Sequence, residues 1–123
     1  MWVAQAERSL NTARLALPTD PNAACSRAYY AMFYAARAAL LTAGHTEKAM
    51  GKTHAGLISA FGEIIVKPGH LDPALGRALS RASRDRLIAD YVGDLVENDV
   101  AERTIEAAAG FLIAVKEWVE AKS

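Results

Sequence analysis

The sequence has one cysteine, four prolines and 7% aromatic residues, and its 14 lysines and arginines are cancelled by 14 aspartates and glutamates. A lone thiol, Cys25, excludes an internal disulfide framework and fits a reducing compartment. Zero formal net charge argues against a strongly basic nucleic-acid binder, so any polyanion contact must come from a local patch. Intrinsic disorder is excluded as well, because a chain that is 52% hydrophobic with no net charge collapses. No apolar run approaches the roughly 18 residues needed to span a bilayer. The segment Trp2 to Leu17 is interrupted by Gln5, Glu7, Arg8, Asn11 and Arg14, unlike a signal peptide, so the chain reads as cytoplasmic. There is no GxGxxG and no Walker-type loop. His45, His54 and His70 fall in or beside predicted loops without the spacing that places two ligands on one helical face. No metal or cofactor is therefore expected.

What the chain has in quantity is alanine, at 26 of 123 residues, while Val, Ile and Thr are scattered, which favours helix over strand. The length fits one domain, residues 1–123. Prolines and glycines cut it at Leu17 to Asn22, Gly44 to Gly51, Lys67 to Pro73 and Val92 to Asn98. Between the cuts apolar residues recur at helical spacing, as with Val3, Ala6, Leu10, Ala13 and Leu17. Asp20-Pro21 and Asp72-Pro73 each read as an N-cap followed by a first-turn proline. Asp99 and Glu102 have the spacing of a capping box. The pattern predicts helices at about 2–17, 22–43, 53–66, 73–90 and 98–121, in an all-α, up-and-down bundle of four to five antiparallel helices. The last helix carries two apolar stripes, one through Ile105 and Leu112 and one through Phe111 and Trp118. Such a helix is either central or shared with a partner, and a two-fold dimer is expected.

Three groups of residues could carry chemistry. Arg27, Tyr30, Tyr34 and Arg37 form a polar edge on the second helix, where guanidiniums beside phenols could hold a phosphate and stack a base. The plainer reading is an amphipathic border. Arg77, Arg81 and Arg84 share one side of the fourth helix, as a solvated stripe would. Arg86 instead projects among Leu75, Leu79, Ala82 and Ala89, the face expected to point inward. A buried arginine requires a partner or a cleft. Asp90, one turn on, could pair with it, and the alternative is an anion-binding or catalytic arginine. Cys25 has no basic group nearby in sequence and reads as an inert buried thiol.

The run Ala24-Cys25-Ser26-Arg27-Ala28-Tyr29-Tyr30-Ala31-Met32-Phe33-Tyr34-Ala35-Ala36, followed by Lys52-Thr53-His54-Ala55-Gly56, Ala60-Phe61-Gly62-Glu63 and Arg86-Leu87-Ile88-Ala89-Asp90-Tyr91, resembles the small stand-alone HEPN-domain proteins, the higher eukaryotes and prokaryotes nucleotide-binding family. The resemblance covers most of the chain in order. It implies a dimerising bundle of four or five helices, often paired with a minimal nucleotidyltransferase as toxin and antitoxin. It further implies a metal-independent ribonuclease site at the dimer cleft, built on an arginine and a histidine four to six positions on, with the RNA 2′-hydroxyl as internal nucleophile. The motif arginine corresponds to Arg86, the histidine position to Tyr91, and the polar residue after the arginine to Leu87. Asp90 lies between them as an orienting group. A neutral phenol is a poor general base at pH 7 but can donate a hydrogen bond. Residues 86 and 91 stand about 140° apart on a regular helix, so a joint site requires a distorted helix end or a second subunit. A non-catalytic module that holds a nucleotide or docks the nucleotidyltransferase is the other reading, with Tyr91 as a site that enzyme could modify.

Overall fold

The computed structural model describes residues 1–92 and 96–122, with the side chains of 91 and 92 outside that description. The chain is all-α: α1 (Trp2–Ala16), α2 (Pro21–Thr42), α3 (Thr46–Ala49), α4 (His54–Phe61), α5 (Pro73–Leu87) and α6 (Asn98–Ala121). Two helices run on into wider π turns, α4 through Gly62–Val66 and α5 through Ile88–Val92. These ranges match the five helices expected from the pattern. The short α3 is additional, inside a segment that the sequence marks only as a break.

Local chemistry explains most of the boundaries. The Asp20 carboxylate accepts from the Ala23 N–H at 3.1 Å, and Asp72 accepts from the Ala74 N–H at 2.8 Å, each with proline opening the helix. Thr53 caps α4 by accepting from the Gly56 N–H at 3.0 Å. Helix α2 ends at Gly44, whose φ of 87° lets the His45 N–H reach back to the Leu40 carbonyl at 2.9 Å and its own N–H to Leu41 at 3.0 Å. The capping box at Asp99 and Glu102 does not form. Helix α6 already begins at Asn98, ahead of the cap position that Asp99 would occupy, and Asp99 accepts from the adjacent Val100 N–H at 3.0 Å. Just ahead of the helix, Asn22 Oδ1 accepts from the Val96 N–H at 2.7 Å and ties this stretch to the start of α2.

Helix α2 is the axis of the bundle. Twelve of its 22 residues are buried, and it packs against every other helix. Helix α1 lies antiparallel to it, with Trp2 stacked on Tyr34 and the Ser9 hydroxyl donating to the Arg27 carbonyl at 2.9 Å. That bond needs the two backbones close together, and the small residues Ala6, Ser9 and Ala13 permit it. Helix α5 ends against the start of α2, where Asn22 Nδ2 donates to the Ala89 carbonyl at 3.3 Å. Of the two apolar stripes of α6, Ile105 and Leu112 are buried and Phe111 meets Phe61 at 5.3 Å between centroids, while Trp118 is half-buried with its ring 5.5 Å from that of His70. Cys25 is fully buried beside Thr104, and burial pushes its thiol pKa up, as an inert core cysteine requires. Among the described residues no helix is long and apolar enough to cross a membrane.

Candidate functional site

Arg86 sits on the last turn of α5, just before the helix widens. As its position on the wheel predicts, it points inward: the residue is 7% exposed. Its Nη1 donates to Asp90 Oδ2 at 3.3 Å, which is the i, i+4 pair expected from the sequence. The guanidinium carbon also stands 5.1 Å from the centre of the Tyr29 ring and 5.7 Å from that of Tyr30. On its far side Nη2 lies 3.4 Å from Nδ1 of His54. Burial opposes the charge, but Tyr30, Asp90 and Tyr29 outweigh it and hold the Arg86 pKa above its ordinary value. The group is thus a fixed cation set among aromatic faces.

His54 and Tyr29 are site residues that sequence reasoning misses. His54 occupies the first position of α4, held there by the Thr53 cap, and its ring packs on Phe33 with centroids 4.5 Å apart. Its Nδ1 is also 2.8 Å from the Tyr29 hydroxyl. Burial, then the Arg86 and Arg37 guanidiniums, hold the imidazole below the usual histidine pKa. Tyr29 is fully buried, and that burial pushes its phenol up to about 12 against the opposing pull of Ser83 and Arg86. The sequence signal for His54 is its place in the run Lys52 to Gly56, because the contact with Arg86 spans 32 positions.

The α2 edge divides in two. Arg27 lies over Tyr30 at 4.8 Å, and Tyr30 meets His54 edge-on at 5.6 Å, so these two join the Arg86 cluster. Tyr34 and Arg37 are further along, against Trp2, with Tyr34 stacked on its ring and Arg37 4.6 Å over it, and Arg37 also lies 4.9 Å over Phe33, the ring on which His54 packs. Arg37 also fastens α3, its Nε donating to the Ala49 carbonyl at 2.8 Å. The Tyr91 side chain, assigned to the site from the sequence, lies outside the described residues. Its backbone belongs to the π turn Ile88–Val92, where the helix departs from regular α geometry.

The cluster opens on a furrow between α4 and α5. A cavity of about 450 Å³ is lined by His54, Ser59, Ser83, Arg84, Arg86 and Leu87, among others. It shares Ile58, Ser80 and Arg84 with a second cavity of about 500 Å³ that carries Arg77 and Arg81. Arg77, Arg81 and Arg84 are exposed, so the stripe read as solvated forms the basic wall of this furrow. Among the described residues no group of three or more His, Cys, Asp or Glu converges on one point.

The depressed His54 pKa makes stability depend on pH. The unfolded chain, with histidine near 6.5, takes up this proton before the folded chain does. The contribution is therefore complete above about pH 6.5 and is lost as the pH falls below it. Urea unfolding at pH 7.5 and 5.5 checks this: the midpoint should drop at the lower pH, and His54→Gln should shrink the drop. An unchanged drop in the variant would contradict the assignment.

Fold and site together define an all-α domain built round a buried, partnered arginine at the mouth of a basic furrow. The HEPN domain model matches residues 1–118, and the chain belongs to that family. It is 34% identical over 122 residues to a UPF0332 protein of Thermotoga maritima, covering 97% of this chain and 89% of that one. To the UPF0332 protein glr0978 of Gloeobacter violaceus it is 42% identical over 90 residues, 72% of this chain and 68% of the other. It is also similar to "Putative toxin MJ0605" of Methanocaldococcus jannaschii, at 37% identity over 93 residues, 76% of this chain and 66% of that protein.

Proposed function

We propose that the protein is the toxin-like member of a toxin–antitoxin pair, and that it binds RNA and cleaves it at a cleft formed by two copies of the chain. The observation that carries this reading is the buried Arg86, held by Asp90 and His54 at the end of the arginine-lined furrow. A guanidinium fixed in this way suits the scissile phosphodiester. In cleavage the RNA 2′-hydroxyl attacks the adjacent phosphorus, loses its proton, and expels the 5′-oxygen, which gains one, leaving a 2′,3′-cyclic phosphate. Tyr91 and Asp90 orient the phosphate, Arg27 and Tyr30 line the cleft, and Tyr34 and Arg37 extend it toward Trp2. Relatives named as toxins support the toxin-like role. The family resemblance extends the proposal to a minimal nucleotidyltransferase as the antitoxin.

Binding of a labelled single-stranded RNA at several salt concentrations tests the reading. Affinity should fall linearly with salt on logarithmic axes, and Arg81→Ala with Arg84→Ala should reduce the slope by about 0.7 for each phosphate no longer neutralised. Sedimentation should give a dimer, and the products should carry cyclic phosphate ends. Absence of RNA binding would overturn the proposal.

A further inference from the structure

The arginines of α5 are segregated from its acids. Arg77, Arg81 and Arg84 line the furrow between α4 and α5, whereas Asp85 lines a separate cavity with Ile88, Val96 and Glu97, and Asp90 is turned to Arg86. Among the described residues no carboxylate pairs with any of the three furrow arginines. Like charges one turn apart on a helix repel, so the chain carries an unfavourable row that an anion in the furrow would relieve. The row extends over seven positions, about 10 Å of helix axis, which gives room for two successive phosphates of an extended strand.

The rest of the lining suits a backbone better than bases. Ser59, Ser80 and Ser83 offer hydroxyls, and Ile58 and Pro73 are aliphatic. Apart from His54 at the Arg86 end, no aromatic ring lines the furrow, and neither does an amide or carboxylate that could read a base edge. Gly62 also lines it. That residue has helical dihedrals, φ −60° and ψ −47°, and a Cβ built on it would meet nothing within 4 Å. Glycine inside a helix costs stability relative to alanine, and no close approach within the chain requires it here.

We infer that the α4–α5 furrow is a backbone track for single-stranded RNA, in which Arg77, Arg81 and Arg84 hold phosphates on one side of the Arg86 site, the bases on that side face solvent, and Gly62 leaves the room that the strand occupies. The inference rests on the proposed RNA reading and deepens it, because base preference is then confined to the α2 edge, where Arg27 and Tyr30 offer stacking faces.

Gly62→Leu tests the track without altering a charge. Its side chain enters the furrow, so affinity for a short 2′-fluoro RNA strand, which lacks the hydroxyl needed for cleavage, should fall about tenfold. The slope of log affinity against log salt should shrink by about 1.4, the value for two phosphates no longer neutralised, although every arginine is still present. Gly110→Leu is the control: Gly110 is exposed on α6, a Cβ there also meets nothing within 4 Å, and it lines neither furrow cavity. Both variants should melt at or above the wild-type temperature, since leucine favours helix over glycine. With the wild-type protein, two strands that keep bases only on the 5′ half or only on the 3′ half should differ. One should bind within about twofold of the full strand and the other about tenfold more weakly, because only one half stacks.

Wild-type affinity and slope in Gly62→Leu, an equal loss in Gly110→Leu, or equal losses for the two half-abasic strands would each overturn the inference and leave the RNA reading standing. RNA that does not bind the wild-type protein overturns that reading and the inference with it. The half-abasic comparison decides the matter if Gly62→Leu does not fold.

Discussion

Arg86→Met is expected to keep the fold and lose RNA binding by roughly 30- to 100-fold, the loss that removing charged hydrogen bonds to a phosphate implies. Methionine fills nearly the volume of the arginine stem and packs on Tyr29 and Tyr30, where the guanidinium now lies. The Asp90 carboxylate left behind is 34% exposed and can hydrate, so the residual charge costs little. Arg86→Ala should behave differently, costing about 2–4 kcal/mol in urea unfolding because it also leaves a cavity. The pair of variants separates the two readings of Arg86 that the sequence leaves open. If Arg86 serves only to pair with Asp90 inside the bundle, Arg86→Met binds RNA as well as wild type, and the functional assignment fails.

Local signals are legible in the sequence and non-local ones are not. The Asp20-Pro21 and Asp72-Pro73 starts form as expected because each cap involves residues within three positions of one another. Arg86 stands out because a helical wheel converts spacing into direction, and its burial follows from its place among Leu79 and Ala82. Where a residue from elsewhere in the chain decides the outcome, the sequence pattern misleads. Asn22, 74 residues away, takes the Val96 N–H just ahead of α6, a contact that no local pattern announces. His54 sits beside a loop and lacks a second histidine at helical spacing. That criterion is apt for a metal site and wrong for this one, in which the partners are an arginine on α5 and a tyrosine on α2. Tyr29 reads as a packing residue, and its fully buried ring does pack, but the hydroxyl pins His54.

Ala6→Leu is expected to destabilise the protein by about 2–3 kcal/mol, while Ala4→Leu on the same helix changes stability by no more than about 0.5 kcal/mol. The two substitutions share their helix and its local propensity, so the difference isolates packing. Ala6 is 0% exposed and Ala4 is exposed, and among the described residues α1 packs against α2 and α6. One turn along, the Ser9 hydroxyl reaches the backbone carbonyl of Arg27 at 2.9 Å, which leaves no room between α1 and α2 for three added carbons. Relief by sliding α1 would break that bond and also the stacking of Trp2 on Tyr34 and its contact with Arg37 at the other end of the helix. Thermal unfolding should register the change as a fall in Tm of roughly 10 °C for Ala6→Leu. Because Arg37 in turn holds α3 through the Ala49 carbonyl, the segment leading into His54 should loosen with it. Amide exchange should therefore quicken at Ala49 in Ala6→Leu and stay unchanged in Ala4→Leu. Equal exchange in the two variants would show that the α1–α2 seam does not support the site.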